Sequence, residues 1–350
     1  MKERELRKRL FCVFFLIIFI PLPILFIIGI KGVIPYVERS EMNRLMKETM
    51  TTVGDAQASL KGFKSDILIL SESNELMDLI EKKGSDGKRQ KERLANLFVS
   101  FAKNRGIYYQ VRYIDETGME IVRVDDGVPV PEGKLQDKSD RYYFSEAIKL
   151  PEGTVYVSPM DLNKEWGKIE VPFRPVIRYA VSVFDSRGNN RGIVITNVDA
   201  RQILQRLQSS TAMSPAKTML IDSNGYYLLH PDKKKEWGGT VDLNTGENIK
   251  NDYPDEAVKG FLSRKADVFI KRATVCSYVP IFFAGNEKDV WIFIHESSLT
   301  GLIKAIKYLR SMVIVITIAS AVAGAYLSYM LAGWLARASC HQDASHKERR

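Results

Sequence analysis

The chain has 350 residues, room for two or three compact units, and a formal net charge of +9. The basic surplus lies at the ends: residues 1–31 hold six Lys/Arg against two Asp/Glu, residues 309–350 five against two, and residues 36–308 a near-neutral 40 against 38. A nucleic-acid binder would carry that surplus on its folded part, and three cysteines, with Cys276 alone between terminal Cys12 and Cys340, make no disulfide framework.

Two segments are long enough to span a bilayer. Residues 11–30 are 20 uncharged residues behind MKERELRKRL, and residues 311–336 are 26 uncharged residues followed by Arg337 and a terminal KERR. Basic flanks on the outer ends predict cytoplasmic termini (1–10 and 337–350) and place residues of about 36–308 outside the cytoplasm. The first run exceeds a signal-peptide core and no small-x-small site follows it, so an uncleaved membrane helix over 11–33 is expected. Pro21 and Pro23 predict a tolerated kink there.

Beyond the first span, Met46, Val53, Leu60 and Ile67 recur every seven residues, and Ala56, Phe63, Leu70 and Met77 follow three places later. This heptad seam predicts a continuous helix from Glu38 to Lys82, about 65 Å long. The seam is expected to lie on the chain's own sheets and to pair with a second copy in a homodimer. Turn residues over 83–88 end the helix. A second helix, over 89–104, collects Leu94, Leu97, Phe98 and Phe101 on one face. The run YYQVRYIDETGMEIVRVDDG then reads as two strands about the turn 115–118.

Residues 140–199 open with an aromatic cluster beside an arginine (Arg141, Tyr142, Tyr143, Phe144). They close with two β-branched runs, 176–184 and 192–198, around the turn DSRGNN. Turn residues between alternating apolar runs signal a β-hairpin. A hairpin behind such a lip can build a pocket of apolar walls and a few fixed polar groups. Tyr143 and Phe144 are then core aromatics, pocket walls or both. Tyr156 faces away from Val155 and Val157 and is a candidate wall residue. Asn197 lies in a buried-looking strand, where its amide needs partners, so it is a candidate ligand contact.

An internal repeat follows. Tyr-Ile-Asp-Glu-Thr-Gly at 113–118 matches Leu-Ile-Asp-Ser-Asn-Gly at 220–225, and the strand pair from Tyr179 resembles the pair from Tyr278. Two related α+β modules, 106–209 and 210–298, are predicted; the second lacks the RYYFSEA lip and carries the basic loop PDKKKEWGG. Residues 200–209 read as a short helix and 299–310 as an amphipathic helix leading into the second span. Ser320, Gly324 and Ser328 in that span stand at an interval that lets membrane helices approach closely.

No phosphate-binding loop, Gly-x-Ser-x-Gly elbow or His-Glu-x-x-His is present, and the four histidines have no Cys/His company at zinc spacing. No catalytic activity, cofactor or metal is expected.

With both modules and both spans placed, residues of roughly 36–310 resemble an extracytoplasmic double Cache sensor. Such domains occur in bacterial chemoreceptors, sensor histidine kinases and diguanylate cyclases. The stretch DLNKEWGKIEVPFRPVIRYAVSVFD, continued by RGIVITNV, carries the likeness most specifically. The resemblance implies an α+β fold: a long N-terminal helical spine (38–105) and two tandem PAS-like modules, membrane-distal (106–209) and membrane-proximal (210–298), between two transmembrane helices. It implies a small-molecule pocket in the distal module. Arg141, Tyr143, Phe144 and Ala147 fall on the family pattern Arg-x-Trp-Tyr-x-x-Ala, whose arginine grips a ligand carboxylate. Two positions depart from it: Gln136 replaces a tyrosine, and Asn197 replaces the aspartate that holds a ligand ammonium. A neutral amide cannot pair with an ammonium as a carboxylate does. A carboxylate or other anion is therefore favoured over an α-amino acid, with Arg141 and Arg178 as forked donors.

The expected function is that of a two-pass sensor in the inner (plasma) membrane, with its sensor domain periplasmic, passing a conformational signal through the second span. The alternative is an ectodomain that binds a periplasmic protein partner without a small ligand. The chain ends 14 residues after Ala336, where full receptors continue into a HAMP linker and an output domain. Any kinase, cyclase or chemotaxis output is expected in a missing or separate partner.

Overall fold

The computed structural model describes residues 5, 8–9, 11–13, 16, 21–81, 87–209, 216–283 and 286–347. Of the expected first span, residues 14–15 and 17–20 lie outside the described residues, as do residue 82 of the expected helix and residues 83–86 of the expected turn. The chain divides into two compact units. One comprises Arg44–Phe269 with Cys276–Ser297, and the other Met1–Asn43, Ile270–Val275 and Ser298–Arg350.

Helix α1 (Pro21–Ser71) carries the heptad seam. Val53, Ala56, Leu60, Phe63, Ile67 and Leu70 are all buried in one core cluster, so the seam faces the chain's own sheets. Burying such a side chain contributes about 1.5–3 kcal/mol. The helix does not run unbroken to Lys82 as its periodicity predicts. Ser71 Oγ donates to Leu68 O and Ser73 Oγ to Leu70 O, each at 2.8 Å. Short hydroxyl side chains competing for backbone carbonyls end the helix here, and α2 (Asn74–Glu81) starts afresh. Helix α3 (Gly87–Arg105) buries Leu94, Phe98 and Ala102.

The first sheet follows in chain order: β1 (Tyr108–Ile114), β2 (Glu120–Asp125), β3 (Val128–Pro129), helix α4 (Tyr142–Ala147), β4 (Val155–Val157), β5 (Asp161–Leu162), the small hairpin β6 (Lys164–Glu165) and β7 (Lys168–Ile169), then β8 (Pro175–Phe184) and β9 (Asn190–Asp199). Its strand order is β3-β2-β1-β9-β8-β4, with β5 on β8. Successive side chains point to opposite faces. Val111, Tyr113, Ile177, Tyr179, Val181, Val194 and Val198 join the helices in the main core. Gly192 permits a close approach of β9 to the end of β1: at φ +114°, a Cβ there would lie 2.0 Å from Ile114 O. Helix α5 (Arg201–Ser209) closes this half.

The second sheet is built from β10 (Lys217–Ile221), β11 (Tyr227–Leu229), helix α6 (Asp255–Phe261), β12 (Asp267–Lys271), β13 (Thr274–Phe283) and β14 (Asn286–Ser298). Its order, β11-β10-β14-β13-β12, repeats β2-β1-β9-β8-β4 strand for strand. The sequence repeat is in register for β10, where Leu220 and Ile221 take the faces of Tyr113 and Ile114. It is out of register for β13: Tyr179 packs on the helical side, whereas Tyr278 lies in the cluster on the opposite face. A one-residue shift exchanges faces, so the matched tyrosines are not equivalent.

In the other unit, helix α7 (Thr300–Lys347) contains the segment Thr300–Leu335. Among the described residues this is the one helix long and apolar enough to cross a membrane. Val315, Ile316, Ile318 and Val322 are exposed on it.

Candidate functional site

The face of the first sheet opposite α1 and α3 is partly polar. Gln110 and Arg112 of β1, Arg178 of β8 and Asn197 of β9 alternate there with Ile114, Ala180, Ile193 and Ile195. The register sets Asn197 opposite both Gln110 and Arg178, so three adjacent strands present neighbouring polar groups. A cavity of about 140 Å³ lies over them. Its other walls are Arg141 with Tyr142 and Tyr143 at the start of α4, residues 161–165, and Val241.

These polar groups form a continuous network. Arg112 Nη2 donates to Asn197 Oδ1 at 2.7 Å, and Asn197 Nδ2 donates to Gln110 Oε1 at 2.9 Å. Gln110 Nε2 donates to Glu165 Oε1 at 2.8 Å, Gln136 Nε2 donates to Glu165 Oε2 at 3.1 Å, and Lys138 Nζ donates to Gln136 Oε1 at 2.6 Å. On the opposite wall Arg178 Nη1 pairs with Asp161 Oδ1 at 2.5 Å, and Tyr142 Oη donates to Asp161 Oδ2 at 2.7 Å. The Arg178 guanidinium also lies 5.1 Å from the Tyr143 ring centroid, within cation–π range.

The cavity wall carries four bases (Arg112, Arg141, Lys164, Arg178) against two acids, Asp161 and Glu165. Both acids are fully engaged. Burial pushes the Glu165 carboxyl up, but Arg123 and the amides of Gln110 and Gln136 pull it down to about 2, so it is ionised. The bases are not all engaged. Arg112 and Arg178 are 2% and 4% exposed, and Nε of each has no acceptor among the described residues. Arg178 hydrogen-bonds through Nη1 to Asp161 and the Tyr142 hydroxyl, leaving Nη2 without a side-chain acceptor among the described residues. Arg141 caps α4 through its backbone alone, and among the described residues its guanidinium pairs only with the exposed Asp140, at 3.5 Å. Lys138 is 2% exposed, and burial followed by repulsion from Arg112 lowers its ammonium to about 8. Arg112 also pairs with buried Glu120 at 3.4 Å, so the donors left open to an anion in the cavity are those of Arg141 and Arg178.

Four of the residues singled out in the sequence meet at this cavity: Arg141, Tyr143, Arg178 and Asn197. Asn197 is occupied by Arg112, Gln110 and Asn163, which makes it a holder of Arg112. Phe144 and Tyr156 pack with the neighbouring apolar cluster of Ile114, Ala147 and Ile195. Sequence reasoning missed Gln110, Arg112, Asp161 and Glu165. One signal was available for the first two: Gln and Arg at alternate positions of the otherwise apolar run YYQVRYI mark one face of a buried strand as polar.

Residues 55–284 match the family model described as "Bacterial histidine kinase, sensor domain". No curated protein sequence matches the chain. Among solved structures, the chain is similar to the extracellular domain of a protein described as histidine kinase vpHK1S-Z8, at TM-score 0.64 and 22% identity over 76% of this chain and 96% of that one. It is similar to a domain of a sensory box/GGDEF family protein from Vibrio parahaemolyticus, at TM-score 0.61 and 23% identity over 73% and 97%. The ligand-binding domain of the Pseudomonas aeruginosa PAO1 amino acid chemoreceptor PctC, in complex with GABA, matches at TM-score 0.50 and 16% identity over 73% and 99%.

Proposed function

The chain belongs to the family of bacterial histidine kinase sensor domains, and on that premise we propose that it is a membrane-anchored sensor for a small organic anion. The cavity over Arg178 is its binding site. The observation that carries this reading is the pair of guanidiniums, Arg141 and Arg178, with uncommitted donors at a cavity whose two acids are already bonded. Forked guanidinium donors suit a carboxylate. With no free acid to receive an ammonium, a plain carboxylate fits better than a zwitterion such as the GABA held by PctC.

In this reading the two sheets are tandem PAS-like modules, the first membrane-distal and the second membrane-proximal. Residues 11–33 and 311–336 are membrane spans, with both termini cytoplasmic and the sheets periplasmic. The protein works as a homodimer and acts by binding, with no catalytic step of its own. The signal leaves through α7 toward an output component. A ligand shifts such an assembly only by its differential affinity for two states.

The test is a thermal-unfolding screen of the full chain in detergent micelles against carboxylates, amino acids and amines. Saturation at a hundred times Kd adds about 2.7 kcal/mol. Stabilisation by carboxylates that disappears in Arg141→Ala is expected; stabilisation by amines alone would overturn the reading. A second reading, docking of a periplasmic protein, is favoured by a different observation. Trp166 and Val171 are 70% and 80% exposed beside the partly exposed Phe173. Silence across the screen from a folded chain would favour it.

A further inference from the structure

The cavity is not built from the first sheet alone, and this inference rests on the reading of that cavity as the binding site. We propose that the site is shared: residues 241–242, from the loop after the second sheet's hairpin, hold one wall of it, so the second sheet feels occupancy directly.

The wall in question is the extended segment 161–165. Asp161, Asn163 and Glu165 send their side chains into the cavity network, to Arg178, Asn197 and Gln110. The two residues between them bond to the loop at 241–242, whose Val241 lines the same cavity. Leu162 N–H donates to Asp242 Oδ1 at 2.8 Å, and Lys164 Nζ donates to Val241 O at 2.6 Å. The segment is thus bonded to the cavity network and to the loop at once.

The loop that receives them is stiff. Trp237 is buried in the core and bonds back to the second sheet, its N–H donating to Tyr227 O at 2.8 Å. Leu243 N–H returns to Trp237 O and Gly246 N–H to Gly238 O, closing the loop on itself. Gly238 permits this closure, because a Cβ there would lie 2.5 Å from Glu247 O. A stiff loop anchored on β11 cannot ignore a displacement of 161–165. An anion that draws Arg178 away from Asp161 pulls at the residue next to Leu162, and the Asp242 contact carries that pull across. Burial and the like charges of Asp161 and Asp222 disfavour the Asp242 carboxylate that accepts the Leu162 N–H.

Hydrogen exchange on the full chain in lipid nanodiscs tests the link in both directions. Asp242→Ala is expected to speed exchange of the 161–165 amides at least tenfold, Leu162 most, with β8 and β9 unchanged. Asp161→Asn is expected to speed exchange over 239–246. Lys164→Met, at a partly exposed position, serves as a second variant should Asp242→Ala fold poorly, with the same expectation at 161–165. Effects confined to the altered residue's own side would overturn the proposal. Anion stabilisation of the wild type without this coupling removes the shared site and leaves the binding reading. Coupling without any anion effect removes the binding reading, and the shared site with it.

Discussion

Arg141 and Arg178 face the same cavity but stand in different structural positions, and the difference is measurable. Arg178 is buried and tied to Asp161, and loss of one partner of a buried pair strands the other. Asp161→Ala should therefore lower stability by about 3–5 kcal/mol, read from chemical denaturation of the full chain in micelles. Among the described residues Arg141 makes no hydrogen bond through its guanidinium. Arg141→Ala should stay within about 0.5 kcal/mol of the wild type while abolishing anion stabilisation. A comparable loss of stability in both variants would contradict the distinction. The sequence announced Arg141 through the aromatic cluster that follows it. It did not announce Asp161 or Glu165, because acids in a polar-looking stretch such as DLNKEWGK resemble solvated loop residues until the fold turns them inward.

Elements set by strong local signals were legible: the hairpins with Asp-x-x-Gly turns, the helical seam and the short helix α5. The two-residue strands β5, β6 and β7 were not, since two residues show no periodicity, and β5 and β6 supply both acids of the cavity wall. Helix α4 was read only as an aromatic cluster, because six residues are too few for a helical repeat. At this scale Gly192 is decisive. Any side chain there meets Ile114 O at a φ only glycine adopts freely, so Gly192→Ala should cost about 3 kcal/mol or more, seen as a lower unfolding temperature. The 241–242 loop adds a pH dependence. Asp242 lies near Asp161 and Asp222 with Lys164 as its nearby cation, and burial followed by those acids raises its carboxyl from 3.8 to about 6. A raised folded value means the folded chain binds this proton more tightly than the unfolded one. Its contribution to stability is then fully present below about pH 4 and lost as pH rises through about 6. Asp242→Asn should remove that part of the profile, measured as the wild-type-minus-variant difference in unfolding temperature between pH 4 and 7.5. An unchanged difference across this range would contradict it.

At the scale of the whole molecule, two sheets of one strand order have divided their roles through side chains on one face. Where the first sheet places Arg112, the second places Met219, and Phe261 with Tyr278 fill the space beside it. That asymmetry leaves the polar cavity to the first sheet, although the backbone plan is repeated. The repeat was legible from its turns; the filling of the second copy was not, since it depends on α6 and on a one-residue shift in β13. The central claim is that Arg141 and Arg178 grip a small anion. Isothermal titration of the most stabilising carboxylate into the full chain, the Arg141→Ala variant and the Phe144→Leu variant tests it most directly. A charged hydrogen-bond contact contributes about 1.5–3 kcal/mol. Arg141→Ala is thus predicted to bind about tenfold to a hundredfold more weakly, with Phe144→Leu unchanged because Phe144 packs in the apolar cluster. Equal affinity in the wild type and Arg141→Ala would contradict the account.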